Sequence, residues 1–152
     1  MGANPVLKVG LIKSVENHPN ADKLYILRIF DGEKERTIVA GLKNYYKPEE
    51  LENKKVVFVA NMKHAKIRGV ESQGMILAGD NGNIVSILTL EKADPGAYVL
   101  KGDEDAFVGF EELEALQMKI ENGKVFLGNE VMKAENGEEV KLDRFMEEGQ
   151  IR

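Results

Sequence analysis

Leu24-Tyr25-Ile26-Leu27-Arg28-Ile29-Phe30-Asp31-Gly32 is the stretch that decides the fold. A run of β-formers enters a dipeptide suited to a tight turn, and Arg36 to Val39 supplies a returning strand. Upstream, Leu7 to Val15 carries Leu7, Val9, Leu11 and Val15 on alternating positions, with Ile12 breaking the order. Asn17-His18-Pro19-Asn20 lies between as a turn, because proline fixes its own φ and pushes His18 towards extended geometry. Downstream, Lys47-Pro48-Glu49-Glu50-Leu51 reads as one helical turn, since proline and acids suit a helix start. Lys55 to Ala60 is almost continuously apolar, the pattern of a strand buried on both faces. Gly74 to Ala78 and Ile84 to Leu88 flank the turn Asp80-Asn81-Gly82, and Tyr98 to Leu100 follows Asp94-Pro95-Gly96.

Short strands with almost no helix predict a mainly β fold, a small barrel or sandwich. Closure is favoured, because open sheet edges invite aggregation. A five-stranded barrel with a short helix near its middle is the OB pattern, and residues 1–102 are assigned to it. Residues 103–152 form an acidic carboxyl-terminal extension of mixed α and β character. Within it, Phe107 to Met118 predicts an amphipathic helix with Phe110, Leu113 and Leu116 inward and Glu111, Glu112 and Glu114 outward. Two hairpins, Lys119 to Leu127 and Lys133 to Leu142, each centre on Glu-Asn-Gly and share a frame like a small internal repeat. So short an appendage has little core of its own, so it should pack on the barrel or on a partner subunit.

The chain has 152 residues, 43% of them hydrophobic and 31% charged, which predicts a folded chain rather than a disordered one. It has no cysteine, so disulfides, zinc–thiolate clusters, iron–sulfur centres and thiol catalysis are excluded. The longest purely apolar run, Val56 to Ala60, falls far short of the ~20 residues of a membrane helix. No apolar stretch of secretory type opens the chain. Met1-Gly2 invites an acylation check, but Val6 stands where that motif takes Ser or Thr. A soluble cytoplasmic protein with no membrane partner is expected.

The net charge of -5 hides an asymmetry. Residues 1–75 hold 13 Lys/Arg against 9 Asp/Glu, or +4, whereas residues 76–152 hold 8 against 17, or -9. Screening acts over ~8 Å at physiological salt, so a polyanion feels the nearest face rather than the average. Nucleic-acid binding, if present, belongs to the amino-terminal part; the alternative is that one half is simply acidic.

Catalytic inventory is thin. His18 and Asp22 form at most a metal pair with no third ligand at suitable spacing, and Asp22 equally serves the turn. Ser72 sits in Ser72-Gln73-Gly74, outside any nucleophile elbow, and no phosphate-binding Gly-x-x-x-x-Gly-Lys loop exists. No enzyme activity, cofactor or metal is expected. Asn61 to Met75 is the dense region. Lys63, Lys66 and Arg68 fall within six positions directly after a buried strand. Lysine offers a flexible point charge to phosphate, and arginine bonds two phosphate oxygens or stacks on a base. Asn61, Ser72 and Gln73 add uncharged donors and acceptors. The competing description is a solvated lysine-rich loop.

His18-Pro19-Asn20-Ala21-Asp22-Lys23-Leu24-Tyr25 resembles the opening signature of the tRNA-binding domain family, an OB-fold module. It occurs at the carboxyl end of many methionyl-tRNA synthetases, in endothelial-monocyte-activating polypeptide II and in free-standing tRNA-binding proteins. Val39-Ala40-Gly41-Leu42 is similar to the family's Val-Ser-Gly-Leu. Asn61-Met62-Lys63-His64 resembles Asn-Leu-Lys-Pro, with Met62 and His64 departing. Lys66-Ile67-Arg68-Gly69 and Ser72-Gln73-Gly74-Met75 follow Lys-Met-Arg-Gly and Ser-x-Gly-Met, and Val85 to Leu88 and Pro95-Gly96 continue the series. It covers roughly residues 6–100. The resemblance implies that Asn61, Lys63, Lys66, Arg68, Ser72 and Met75 lie at or beside an RNA face, although Met75 equally fits a packing role.

Lys23, Arg28, Arg36 and Lys43 are secondary candidates, since OB strands present alternate side chains to a ligand groove. Tyr25, Tyr45 and Tyr46 either stack on bases or pack. The implied function is non-catalytic recognition of tRNA by shape and phosphate placement, assisting an aminoacyl-tRNA synthetase, the methionyl type first. The alternative is a chaperone-like module binding peptide or protein, as in a secretion-associated family that shares the signature. The extension implies either a monomer in which it imitates a missing dimer partner, or a homodimer.

Overall fold

The strands around the quoted stretch form an antiparallel meander of β1 (Leu7–Asn17), β2 (Tyr25–Phe30) and β3 (Glu35–Ala40). The structure, a computed structural model, describes residues 2–152, so Met1 of the Met1-Gly2 pair lies outside it. Tyr25, Leu27 and Ile29 are buried and Arg28 is exposed, the period-two alternation of a strand with one wet face. At the β2–β3 turn the Asp31 carboxylate accepts the N–H groups of Glu33 and Lys34, both at 2.9 Å. Gly32 there adopts φ +100°, where a Cβ would lie 2.8 Å from the Gly96 Cα. The expected helical turn is α1 (Pro48–Leu51), and the Glu50 carboxylate accepts the Lys47 N–H at its start.

After α1 the chain makes β4 (Lys55–Val59), the hairpin β5 (Ala65–Ile67) and β6 (Val70–Ser72), then β7 (Met75–Ile76), β8 (Ala78–Asp80), β9 (Val85–Leu90) and β10 (Tyr98–Leu100). β4 pairs with β1 on one side and with β7 and β9 on the other. β3 reaches the segment before β7 through Gln73 N–H to Thr37 C=O (2.7 Å) and Val39 N–H to the Ser72 hydroxyl (3.0 Å). The circuit β4–β1–β2–β3–(72–76)–β4 therefore closes as a five-membered barrel around Leu27, Ile29, Ile38, Val56, Phe58 and Ile76. The single strand expected over Gly74 to Ala78 is split at Leu77. That residue bonds Val57 C=O and drops its side chain into a second core, which lets the chain change partner from β4 to β9.

The extension begins with α2 (Phe110–Glu114), much shorter than expected. Leu113 is its one buried residue, Phe110 is 66% exposed rather than inward, and Gln117 at φ +54° ends the helical path. Then come β11 (Met118–Glu121), β12 (Lys124–Leu127), β13 (Glu130–Val131), β14 (Lys141–Leu142) and β15 (Gly149–Ile151). The first Asn-Gly turn forms as predicted, with Asn122 at φ +53° and Gly123 at φ +73°. Around the second the pairing shrinks to a lone Lys133–Glu139 bridge, because β14 leaves to pair with β9. The apparent repeat is therefore not structural. β15 joins β8 to β11, so the extension continues the barrel's own sheet in the order β13-β12-β11-β15-β8-β9-β4-β1-β2-β3.

Packing is on the same chain's barrel. Val57 and Val59, the opposite face of β4 from Val56 and Phe58, meet Val108, Leu113, Val125, Met132 and Val140 of the extension. The continuous apolar run of β4 thus serves two cores at once. Polar latches close the seam. The Tyr46 hydroxyl donates to Asp143 (3.0 Å) and accepts the Ile87 N–H (3.1 Å), while burial above all pushes its phenol up to about 12. The Arg144 guanidinium lies 3.8 Å over the Tyr46 ring and bonds Tyr45 C=O and Glu50. Among the described residues no helix is long and apolar enough to cross a membrane.

Glu138 is the other latch, its carboxylate accepting the N–H groups of Glu91 (2.7 Å), Lys92 (3.0 Å) and Ala93 (2.8 Å). Partial desolvation pushes its carboxyl up, but those three N–H groups outweigh it and hold it below its ordinary 4.5. A depressed carboxyl stabilises the fold above that ordinary value and ceases to as pH falls through the folded one. Glu138→Ala should lower the thermal midpoint by about 4 °C at pH 7, since charged hydrogen bonds are lost at a partly wet site. The gap from the parent should narrow as pH drops below 4.5. Paired thermal melts at pH 7 and pH 3 check both; an equal gap at each pH would contradict the latch.

Candidate nucleic-acid interface

The dense region Asn61 to Met75 contains the β5–β6 hairpin, with Ala65 opposite Ser72, Lys66 opposite Glu71 and Ile67 opposite Val70. Arg68 at φ +51° and Gly69 at φ +93° supply the positive φ pair of a type I′ turn. Ala65, Ile67, Val70 and Ser72 share one face, on which Ser72 is buried, Ile67 and Val70 are half-buried and Ala65 is exposed, while Lys66 and Glu71 on the other face are both exposed. The turn leans on the β1–β2 connection. The ring of His18 is 5% exposed, its Nδ1 accepts the Asn20 N–H at 3.0 Å, and its Nε2 lies 3.0 Å from Ile67 C=O. The Arg68 guanidinium donates to Asn20 C=O at 3.0 Å.

Lys66 and Arg68 are thus exposed at a hairpin held against the turn that carries Lys23. Lys63 is exposed at the foot of β5, where its N–H bonds Val108 C=O. Arg28 stands on the outer face of β2, cross-strand from Ser14 and Thr37, and Lys43 is half-buried after β3. None of these six cations forms an ion pair among the described residues. By contrast the acids of the extension draw Lys8 (to Glu104, 3.7 Å) and Lys54 (to Asp143, 3.1 Å).

Four candidates face the other way. Asn61 is 5% exposed; its amide oxygen accepts the Val6 N–H, and its amide nitrogen donates to Asn4 and Asp103 carbonyls. Arg36 lies over the Phe58 ring at 4.9 Å and bonds Asp31 and the carbonyls of Ala60 and Gln73. Burial pushes Asp31 up, yet the Lys34 and Glu33 N–H groups with the Arg36 guanidinium hold it below the usual range. The Ser72 hydroxyl bonds Val39 N–H and Gly74 C=O, and the Gln73 side chain accepts the Thr37 N–H. These side chains close the barrel and anchor the hairpin's base. Met75 is half-buried, pairs with Val59 and lines a groove of about 650 Å³ with exposed Tyr45 and Phe110. Tyr25 and Tyr46 are buried packing residues, and the Tyr25 hydroxyl donates to Tyr46 C=O. The residues missed from sequence are His18 and Asn20 as partners of the hairpin. The turn cluster marked their conformation but not what they touch.

Comparison with known proteins agrees with this architecture. Residues 7–97 match the family model described as "Putative tRNA binding domain". A segment of 86 residues is 59% identical to the methionine–tRNA ligase of Pyrococcus horikoshii, covering 57% of this chain but 12% of the ligase. The C-terminal domain of Plasmodium vivax p43 superposes with a TM-score of 0.86 at 29% identity, over 98% of this chain and 97% of that one, extension included. The CsaA chaperone protein of Picrophilus torridus superposes with a TM-score of 0.59 at 31% identity, over 63% of this chain and 92% of that one. With its family signature spread over the whole barrel, the chain belongs to the tRNA-binding domain family.

Proposed function

We propose that the chain binds tRNA without catalysing a reaction, using the β5–β6 hairpin and the facing β1–β2 turn as the phosphate-binding surface. The observation that carries it is local. In a molecule of net charge -5, Lys66 and Arg68 project, without ion pairs among the described residues, from a hairpin braced against the barrel. Lys63, Lys23 and Arg28 extend that surface, with Lys43 at its margin. Asn61, Arg36, Ser72 and Gln73 support it from within, and Met75 packs beneath. Backbone-phosphate contacts of this kind register shape and leave little sequence readout.

The finer role is assistance to an aminoacyl-tRNA synthetase as a subunit or a trans-acting factor, supported by identity to part of a methionine–tRNA ligase. The extension, covering the apolar outer face of β4, favours a monomer whose appendage stands where a second barrel would otherwise pack. Likeness to a CsaA chaperone protein favours a second reading, peptide or partner-protein binding. Filter-binding titrations with folded tRNA across salt test the first. Each neutralised phosphate should contribute a log–log slope of about -0.7 on a single strand and -0.9 on a duplex. A flat salt response, no binding at low salt, or displacement of tRNA by unfolded peptide at matched concentration would overturn it.

A further inference from the structure

We propose that His18 is a positioning residue which, resting on the tRNA-binding reading above, fixes the β5–β6 hairpin in the attitude that presents Lys66 and Arg68 to phosphate. The ring's surroundings settle its tautomer. Nδ1 accepts the Asn20 N–H, so the ring proton sits on Nε2 and is donated to Ile67 C=O, 49 residues further along the chain. Ile67 directly precedes Arg68, whose guanidinium returns to Asn20 C=O. The turn and the hairpin are therefore stitched three times, once through a buried imidazole and twice through the exposed Asn20–Arg68 pair, whose Asn20 amide also donates to Arg68 C=O at 3.4 Å.

This stitch matters because the hairpin is weak alone. Its strands have three residues each, and a two-stranded ribbon is marginal in water. Its base is anchored by Ser72 and Gln73 on β3, but Lys66, Arg68 and the turn lie beyond that anchor. No ion pair among the described residues restrains them. The His18 bond to Ile67 supplies the buried restraint beside the exposed Asn20–Arg68 bonds, and a following proline disfavours helical geometry at His18. Binding to a pre-set hairpin avoids ordering two long cationic side chains on encounter. His18 thus acts through the hairpin and does not itself meet RNA.

Two substitutions separate the ring's two bonds. Asparagine places an acceptor where Nδ1 is and keeps the turn, but is too short to reach Ile67 C=O. Glutamine places a donor where Nε2 is and keeps the stitch. With folded tRNA as the probe, His18→Asn should weaken binding about tenfold, on the scale of freeing two long side chains. His18→Gln should stay within about threefold of the parent. In a Lys66→Ala/Arg68→Ala background, His18→Asn should cause no further loss, since nothing remains for the hairpin to position. Parent-like affinity of His18→Asn, or an undiminished loss in that background, would overturn the proposal while leaving tRNA binding intact. Absence of tRNA binding by the parent protein would overturn both.

Discussion

Replacing Lys66 and Arg68 together by alanine should lower affinity for folded tRNA about ten- to thirtyfold near physiological salt and leave the fold standing. The magnitude follows from counterion release: two lost phosphate contacts flatten the log–log salt slope by about 1.4 on single strands or 1.8 on a duplex. At about 0.15 M salt that difference alone accounts for the loss. Stability should barely change, because both side chains are exposed and neither forms an ion pair among the described residues. Arg68 gives up one bond to Asn20 C=O, and alanine at φ +51° is no worse placed than arginine. Filter binding across a salt series, with a thermal melt of the same sample, reads both quantities. An unchanged slope in a folded variant would move the RNA surface elsewhere on the barrel.

Truncation after Gly102 should have the larger structural effect: the remaining chain should dimerise or aggregate. Nine barrel side chains, Leu7, Val9, Val57, Val59, Met62, Leu77, Leu88, Leu90 and Ala93, lose the six buried residues of the extension that cover them. Re-exposing an aliphatic side chain of this size costs about 1.5–3 kcal/mol. Four such losses reach the whole net stability of an ordinary domain, about 5–15 kcal/mol. The uncovered face must then find another partner, a second barrel or an aggregate. Light scattering after size-exclusion chromatography distinguishes the outcomes, and a soluble monomer with the parent's melting point would contradict the covering role of the extension.

What was legible in the sequence was whatever follows from alternation and turn chemistry. Leu24 to Phe30 and the Asp31-Gly32 turn fell where expected, and so did the doubly buried run at Val56 to Val59. These signals are local, so neighbours in sequence suffice to read them. Polar residues behaved otherwise. Asn61, Arg36, Ser72 and Gln73 have the composition of a binding site, yet their partners are backbone groups 24 to 57 residues away for all but the Asp31 pair and the Ser72–Gly74 bond. Nothing in a one-dimensional pattern marks a side chain whose donors and acceptors are matched by tertiary contact. The amphipathic spacing over Phe107 to Met118 misled for a related reason: Phe110 sits at a compatible position, but the short α2 turns only Leu113 fully inward.

Because β4 feeds Val56 and Phe58 to one interior and Val57 and Val59 to the other, the partition between the cationic barrel and its acidic annex is a single strand thick. Neither compartment can be repacked privately. A swollen or shrunken side chain on one side shifts the wall that the other leans on, and both compartments inherit the same tolerance for change.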